Sequence, residues 1–509
     1  MAEDPESPKG TLFADVVAGM SVALVSVPQA LAYADLAGMP PVHGLYVAAM
    51  APILAAPFVS SRYLQTGPTA LTCLLTVGAL ATIATPYSDD YVGLAALLAL
   101  LVGLARLLVG LLRMGAVAWI MSQPVLRGFT LAAALLIAGS QLPAALGAPA
   151  TGQGVLARAG SVLMAPGSWT LGAVLLTVLT VALMRGGKYI HALFPGVLVA
   201  AVVGLGASMG GLPVGDAIGE IPRGLPPLNF SLPWASLPSL IVPGLVIALV
   251  GFAEPAAVAR TFAAGNRERW NPDREFLSQG VANLVAGAFS GFPVGGSFSR
   301  SALAKVAGAK TWKAGAITGL FVLAVLPFAG GLAQLPRAIL GATVLGAVIK
   351  LLDPRPMFAM WSQSKLQSSL AWATFAATLL TAPHVEYGVL IGIAVSLTVH
   401  LWREMSMTVP IASDGETLTM RPTGVLWFGT ASHLEQVSID ALAEHPETKV
   451  LVVDLAGLGR IDFSGAEVLS ALVVEARSGG VEVAVRNVPP QAKRIMGRFG
   501  LGASDEPER

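Results

Sequence analysis

Apolar residues run through most of this chain in stretches long enough to cross a bilayer, which takes about 20 residues each. The first stretches fall near 14–34, 42–59, 68–84, 91–112, 116–146, 169–185 and 192–212. A proline-rich connection follows, GEIPRGLPPLNFSLPW (219–234). A second series lies near 237–258, 276–290, 297–309, 312–331, 335–352, 366–382 and 386–402. The pattern predicts a polytopic α-helical membrane protein of fourteen segments in two sets of seven, spanning about 14–212 and 237–402. Residues 1–13 read as a polar N-terminal segment, and residues 403–509 change character. There, TLTMRPTGVLWFGTA alternates as strands do, VLVVDLAGL (450–458) reads as a buried strand and SGAEVLSALVVEARSGG as an amphipathic helix. VEVAVRNV then reads as a strand and PPQAKRIMGRFG as a helix, so a small soluble α/β domain is expected.

The two halves of the membrane part resemble each other. PQALAYADLAG (28–38) aligns with PAAVARTFAAG (255–265), and each half breaks at its third segment. The breaks are YLQTGPTA (63–70) and GFPVGGSFSRSAL (291–303). Paired glycine- and proline-interrupted segments at corresponding positions point to a transporter binding site. Seven is odd, so the second repeat crosses the membrane inverted relative to the first.

Composition supports this class. The chain is 54% hydrophobic and only 12% charged, against about 25% charged in average soluble domains. The net charge of +1 gives no global field for nucleic acid. A single cysteine, Cys73, excludes an intramolecular disulfide framework and a multi-cysteine metal site, and the six histidines form no convincing ligand pair. Nucleotide-binding, zinc-protease and nucleophile-elbow motifs are absent, so an enzyme is not expected. With the N-terminus inside, the cytoplasmic loops collect Arg62, Arg113, Arg185, Lys188, Arg267, Arg269, Arg274, Lys310, Lys313, Lys350 and Arg355, while the outer loops hold Arg158, Arg223 and Arg337. That asymmetry satisfies the positive-inside rule and places both termini in the cytoplasm. The N-terminus lacks a basic start and an apolar core, so no cleavable signal peptide is expected.

The broken segments carry the candidate chemistry. Non-helical chain at membrane depth must be buried in protein or line a wet cavity. TGP and GFPVGG read as extended leads into half-helices whose N-termini meet near the midplane. Each such end offers free N–H groups and about half a positive charge, so two of them facing one cavity make an anion site. Ser297, Phe298, Ser299 and Arg300 open the second half-helix. GGSFS also has a structural reading, as a tight contact of small residues between helices. Glu254, inside the eighth segment, is either a proton carrier or a static partner of Arg300 or Arg260. Pro28 breaks the first segment and sets Gln29 and Tyr33 one turn apart, facing the cavity or packing between helices. Asp35, near the outer end, reads as solvated.

PQALAYADLAGMPPVHGLYVAAMAPILAAPFVSSRYLQTGPTA resembles the signature region of the SulP anion permeases, relatives of sulfate, bicarbonate and dicarboxylate transporters and of prestin. VGFAEPAAVAR and GGSFSRSAL match that family's eighth and tenth segments, and VVDLAGLGRIDFSGAEVL resembles the STAS domain. The resemblance covers nearly the whole chain. It implies a core domain (segments 1–4 and 8–11) moving against a gate domain (5–7 and 12–14), and a homodimer. Gln29, Tyr33, Thr69, Ser299 and Arg300 match cavity positions, and Glu254 matches an acid implicated in proton coupling. Thr69 stands where some animal members carry an aromatic residue, which implies a larger, more polar cavity. Ser464 in DFSG matches a phosphorylated serine of anti-sigma-factor antagonists, though Asp462 and Ser464 also read as a helix cap.

The expected function is secondary active transport of a small anion (sulfate, bicarbonate or a C4-dicarboxylate) across a bacterial inner membrane. Proton symport by alternating access is the leading reading. Protons are the expected coupling ion, no other cofactor is expected, and any cytosolic partner of the STAS domain stays open. Anion exchange, sodium-coupled bicarbonate symport, an anion channel or voltage-driven motor, and a nucleobase permease are the competing readings.

Overall fold

The fold is that of a computed structural model, described over residues 8–501 except 120 and 223. Arg223 and the first seven residues of the N-terminal segment thus lie outside the described residues. The chain divides between Ile393 and Ala394 into two compact units.

The first repeat contains α1 (Pro8–Leu36), α2 (Pro41–Ala55), the strand β1 (Gln65–Gly67), α3 (Ala70–Leu80), α4 (Asp89–Leu111), α5 (Gln123–Leu146), α6 (Val155–Met164), α7 (Leu171–Ile190) and α8 (Gly196–Met209). The second contains α9 (Leu237–Val250), α10 (Ala253–Asn266), α11 (Pro272–Ala288), β2 (Gly295–Ser297), α12 (Phe298–Val306), α13 (Lys313–Val325), α14 (Arg337–Val348), α15 (Arg355–Gln363), α16 (Lys365–Leu380) and α17 (Val385–Glu404). Every one of the fourteen expected segments coincides with helix. Seven helical runs among the described residues are long and apolar enough to cross a membrane by length and composition. The eighth segment departs from expectation. It is two helices, α9 and α10, broken at Gly251 and Phe252, because Phe252 N–H turns back to Leu249 O (3.2 Å) in a tightened last turn. Two further short helices, α6 and α15, lie in connections.

Packing sorts the helices into two bundles. α1–α4 pack with α9–α13, and α5–α8 pack with α14–α16. Glycines set the closest approaches, as small residues do where apolar burial gives no drive between helices in lipid. A Cβ on Gly44 of α2 would meet Ala30 O of α1 at 1.9 Å, and one on Gly128 of α5 would meet Ala371 O of α16 at 2.1 Å. α17 lies on α16 in the same way, through Gly388 and Gly392 against Thr378 and Thr374.

The second unit is an α/β domain. β3 (Ile411–Asp414), β4 (Thr417–Met420), β6 (Val450–Asp454) and β8 (Glu482–Arg486) form one sheet in the order β3-β4-β6-β8, antiparallel at β3 and otherwise parallel. β5 (Gly424–Leu426) pairs in parallel with β7 (Leu458–Ile461). α18 (Phe428–Glu444) packs on α19 (Phe463–Ser478), and α20 (Lys493–Arg498) closes the core with Met496. WFGTA, expected as strand, instead enters α18. That helix buries Thr430, Ala431, Leu434, Ser438 and Ala441, a helical spacing with only one large apolar residue, so its periodicity is faint in the sequence.

Candidate functional site

Two short strands meet inside the first bundle. β1 and β2 pair antiparallel, with Gln65 opposite Ser297, Thr66 opposite Gly296 and Gly67 opposite Gly295. They are the leads into α3 and α12, the corresponding half-helices of the two repeats. Two copies of one unit related by an axis in the membrane plane meet in this antiparallel manner. The exposed peptide groups of these leads need partners at membrane depth, and side chains supply them. Gln65 N–H donates to Ser301 Oγ (2.9 Å), and Gln279 Nε2 donates to Thr66 Oγ1 (2.9 Å). Asn283 grips Val294 twice: Val294 N–H donates to its Oδ1 (2.9 Å), and its Nδ2 donates to Val294 O (3.1 Å).

Both half-helices begin on hydroxyl caps, as their sequences favour. Thr69 Oγ1 accepts from Thr72 N–H (3.4 Å), and Ser297 Oγ accepts from Arg300 N–H (3.5 Å). The N–H groups of Ala70, Leu71 and Ser299 have no intrahelical partner, and no protein acceptor for them is found among the described residues. Phe298 and Ser299 are exposed, while Ala70 and Leu71 are half-buried, so both helix ends look onto open space. Phe298 stacks on Phe262, with ring centroids 6.0 Å apart.

Arg300 links the two leads. It is 2% exposed, and its Nη2 donates to Pro68 O (2.8 Å) on the approach to α3. Gly67 has φ +154°, and a Cβ there would stand 3.0 Å from Arg300 Nη1, so only glycine lets the guanidinium lie flat against this lead. Arg300 Nε has no protein partner. A buried, unpartnered cationic N–H beside two helix N-termini suits an anion.

Glu254 opens α10, and its Oε1 accepts from Phe298 N–H (3.3 Å). It forms an ion pair with neither Arg300 nor Arg260 among the described residues. Arg260 instead lies 4.3 Å over the Trp119 ring and donates to Ala256 O. The carboxylate thus sits on the first N–H of α12, a position a bound anion would take. Tyr33, 4% exposed, lies within electrostatic reach of both Arg300 and Glu254. Gln29, one turn away on the same face, is equally buried, and its Oε1 has no partner. The structure therefore gathers Tyr33, Glu254, Ser297, Phe298, Ser299 and Arg300 at one place. Thr69 is beside Gly295 but its hydroxyl is committed to the cap and to Thr72.

Asp35 is not solvated. It accepts from Tyr87 Oη (3.1 Å) and faces Arg337 Nη1 at 3.8 Å, joining α1 of one bundle to α14 of the other. At α3, Gly78 packs against Pro383 O just before α17, where a Cβ would meet that oxygen at 2.4 Å.

Arg106, Gln279 and Asn283 are buried residues of this region that sequence reasoning passed over. Arg106 is a charge inside an apolar run, the same signal that singled out Glu254. In the second unit, Asp462 alone caps α19, accepting from Gly465 N–H (2.8 Å). Ser464 falls inside the first turn and is half-buried.

Comparison with known proteins agrees with this architecture. The sulfate permease family matches residues 12–374, and a STAS domain matches residues 409–503. "Sulfate transporter 4.1, chloroplastic" of Arabidopsis thaliana is 29% identical over 96% of this chain and 77% of its own. The "Sodium-independent sulfate anion transporter" of Bos taurus is 29% identical over 95% of this chain and 85% of its own. The structure of the murine Solute Carrier 26 family member A9 anion transporter in the inward-facing state superposes with a TM-score of 0.86 at 20% identity, covering 97% of this chain and 89% of that one.

Proposed function

The chain belongs to the sulfate permease family, and from that premise we propose that it is a proton-coupled symporter of a small anion, sulfate first among sulfate, bicarbonate and C4-dicarboxylates. The observation that supports this reading best is the convergence of two half-helix N-termini on the buried Arg300, whose Nε lacks a partner. Sulfate leads because both relatives above, matched over nearly all of this chain, carry that name. Free N–H groups of Ala70, Leu71 and Ser299 bind the anion from two sides, and Arg300 supplies the full charge. Gln29 and Tyr33 complete the wall with polar ends.

Glu254 provides the coupling. Ionised, it holds Phe298 N–H and fills the place of an anion with its own negative charge. Protonated, it loses that charge, and its charge-assisted hold on the α12 terminus weakens. Proton and anion therefore favour each other's binding, and by linkage the effect is reciprocal. The core bundle carries the loaded site past the gate bundle, in a homodimer at the bacterial inner membrane with both termini cytoplasmic.

The test is Glu254→Gln in proteoliposomes. The amide keeps an acceptor for Phe298 N–H but cannot take up and release a proton. Exchange of labelled anion across the membrane should persist, while accumulation driven by an inward proton gradient should disappear. Unchanged gradient-driven accumulation would remove Glu254 from the coupling.

A further inference from the structure

Arg106 is completely buried in α4, and no carboxylate pairs with it among the described residues. Its guanidinium is spent on three backbone carbonyls. Nε donates to Ala248 O (3.0 Å), Nη2 to Ile247 O (3.1 Å) and Nη1 to Val294 O (2.8 Å). The first two lie at the end of α9. There, Ala248 O has lost its regular helical donor, because Phe252 N–H bonds Leu249 O instead. The third lies on the lead into β2 and α12. Gly251 makes room for this arrangement, since a Cβ there would come within 2.7 Å of Arg106 Nη2.

The two segments that Arg106 joins each carry one half of a contact in the site. The α9–α10 break is followed at once by Glu254. The Val294 lead is followed by Ser297, Phe298 and Arg300. Glu254 and Phe298 then meet through a 3.3 Å hydrogen bond. We infer that Arg106 is a positioning residue of the anion site, fixing the α10 terminus against the α12 terminus from behind. A buried arginine suits the task because its rigid fork reaches three acceptors on two segments at once. Asn283 of α11 donates to the same Val294 carbonyl and shares the role. The inference rests on the anion-site reading above.

The experiment measures anion-dependent thermal stabilisation of the full-length protein in nanodiscs, titrating sulfate, bicarbonate and fumarate. It compares wild type, Arg106→Lys, Asn283→Ala and, as a destabilised control outside the site, Gly128→Ala. The wild type should show saturable stabilisation by at least one anion. Arg106→Lys keeps the charge but lacks the fork, and its half-saturating concentration should rise about tenfold or more. Asn283→Ala should move it in the same direction, and serves if Arg106→Lys does not fold. Gly128→Ala should lower the melting temperature and leave half-saturation where it was. A wild-type half-saturation in both site variants would overturn the positioning role while leaving the anion site intact. A wild type that no anion stabilises would instead remove the anion site itself, and the positioning role with it.

Discussion

In the proposed site anion recognition turns on Arg300, whose geometry says more than its charge. The guanidinium is tied to Pro68 O and lies flat on Gly67. Arg300→Lys keeps a positive charge but loses the planar fork that reaches Pro68 O from one nitrogen and presents Nε–H from another. Loss of one charge-assisted hydrogen bond, worth about 1.5–3 kcal/mol, predicts a rise in KM of roughly 10- to 100-fold, measured by initial rates of labelled uptake. Gly67→Ala tests the same contact from the other side. It should impair binding similarly, through a backbone strain of about 1–3 kcal/mol and a displaced guanidinium. An unchanged KM in both variants would show that Arg300 does not face the anion. Arg300 and Glu254 were legible in the sequence because charges are rare and costly in apolar segments. Arg106 obeys the same rule but sits in a run without glycine- or proline-rich interruption, so nothing beside it marks a site. Asp35 misled because only the fold brings Arg337, some 300 residues later in the chain, to within 3.8 Å of it.

At the scale of elements, the half-helices were readable as paired breaks, TGP and GFPVGG, and their inverted relation followed from the odd segment count. Their pairing into a two-stranded ribbon was not, because three-residue strands leave no periodicity to detect. The break between α9 and α10 was equally hidden. VIALVGFAEPAAVA is apolar but for Glu254, and the carbonyls at the break are taken up by Arg106 of another helix. α18 escaped for a different reason, its buried face being made mostly of Thr, Ala and Ser. Glycine contacts hold the bundles together with little tolerance. Gly128→Ala would press a methyl onto Ala371 O at 2.1 Å. Overpacking of this kind costs about 1–3 kcal/mol, so the melting temperature should fall by several degrees, with anion affinity unchanged. No shift in melting temperature would mean that α5 and α16 pack less closely than described.

For the whole molecule, the proposed alternating access would move two bundles that touch through few elements. Asp35 on α1 and Arg337 on α14 bridge them at one end, helped by Tyr87, and α3 closes on Pro383 nearby. With the proposed cytoplasmic termini this is the outer end, and alternating access requires it to open. Cysteines at 35 and 337, in a chain with Cys73 replaced by Ala, should be joined by a short reducible bis-methanethiosulfonate. Transport should stop on linking and return on reduction. Continued transport by the linked protein would show that this end does not open during the cycle.

The most direct measurement is uptake of labelled sulfate, bicarbonate and fumarate into proteoliposomes, each with and without an inward proton gradient. Proton-coupled symport predicts saturable accumulation of one of these anions, sulfate first, only when the gradient is imposed. Uptake that ignores the gradient and instead requires an internal counter-anion or external sodium would contradict it.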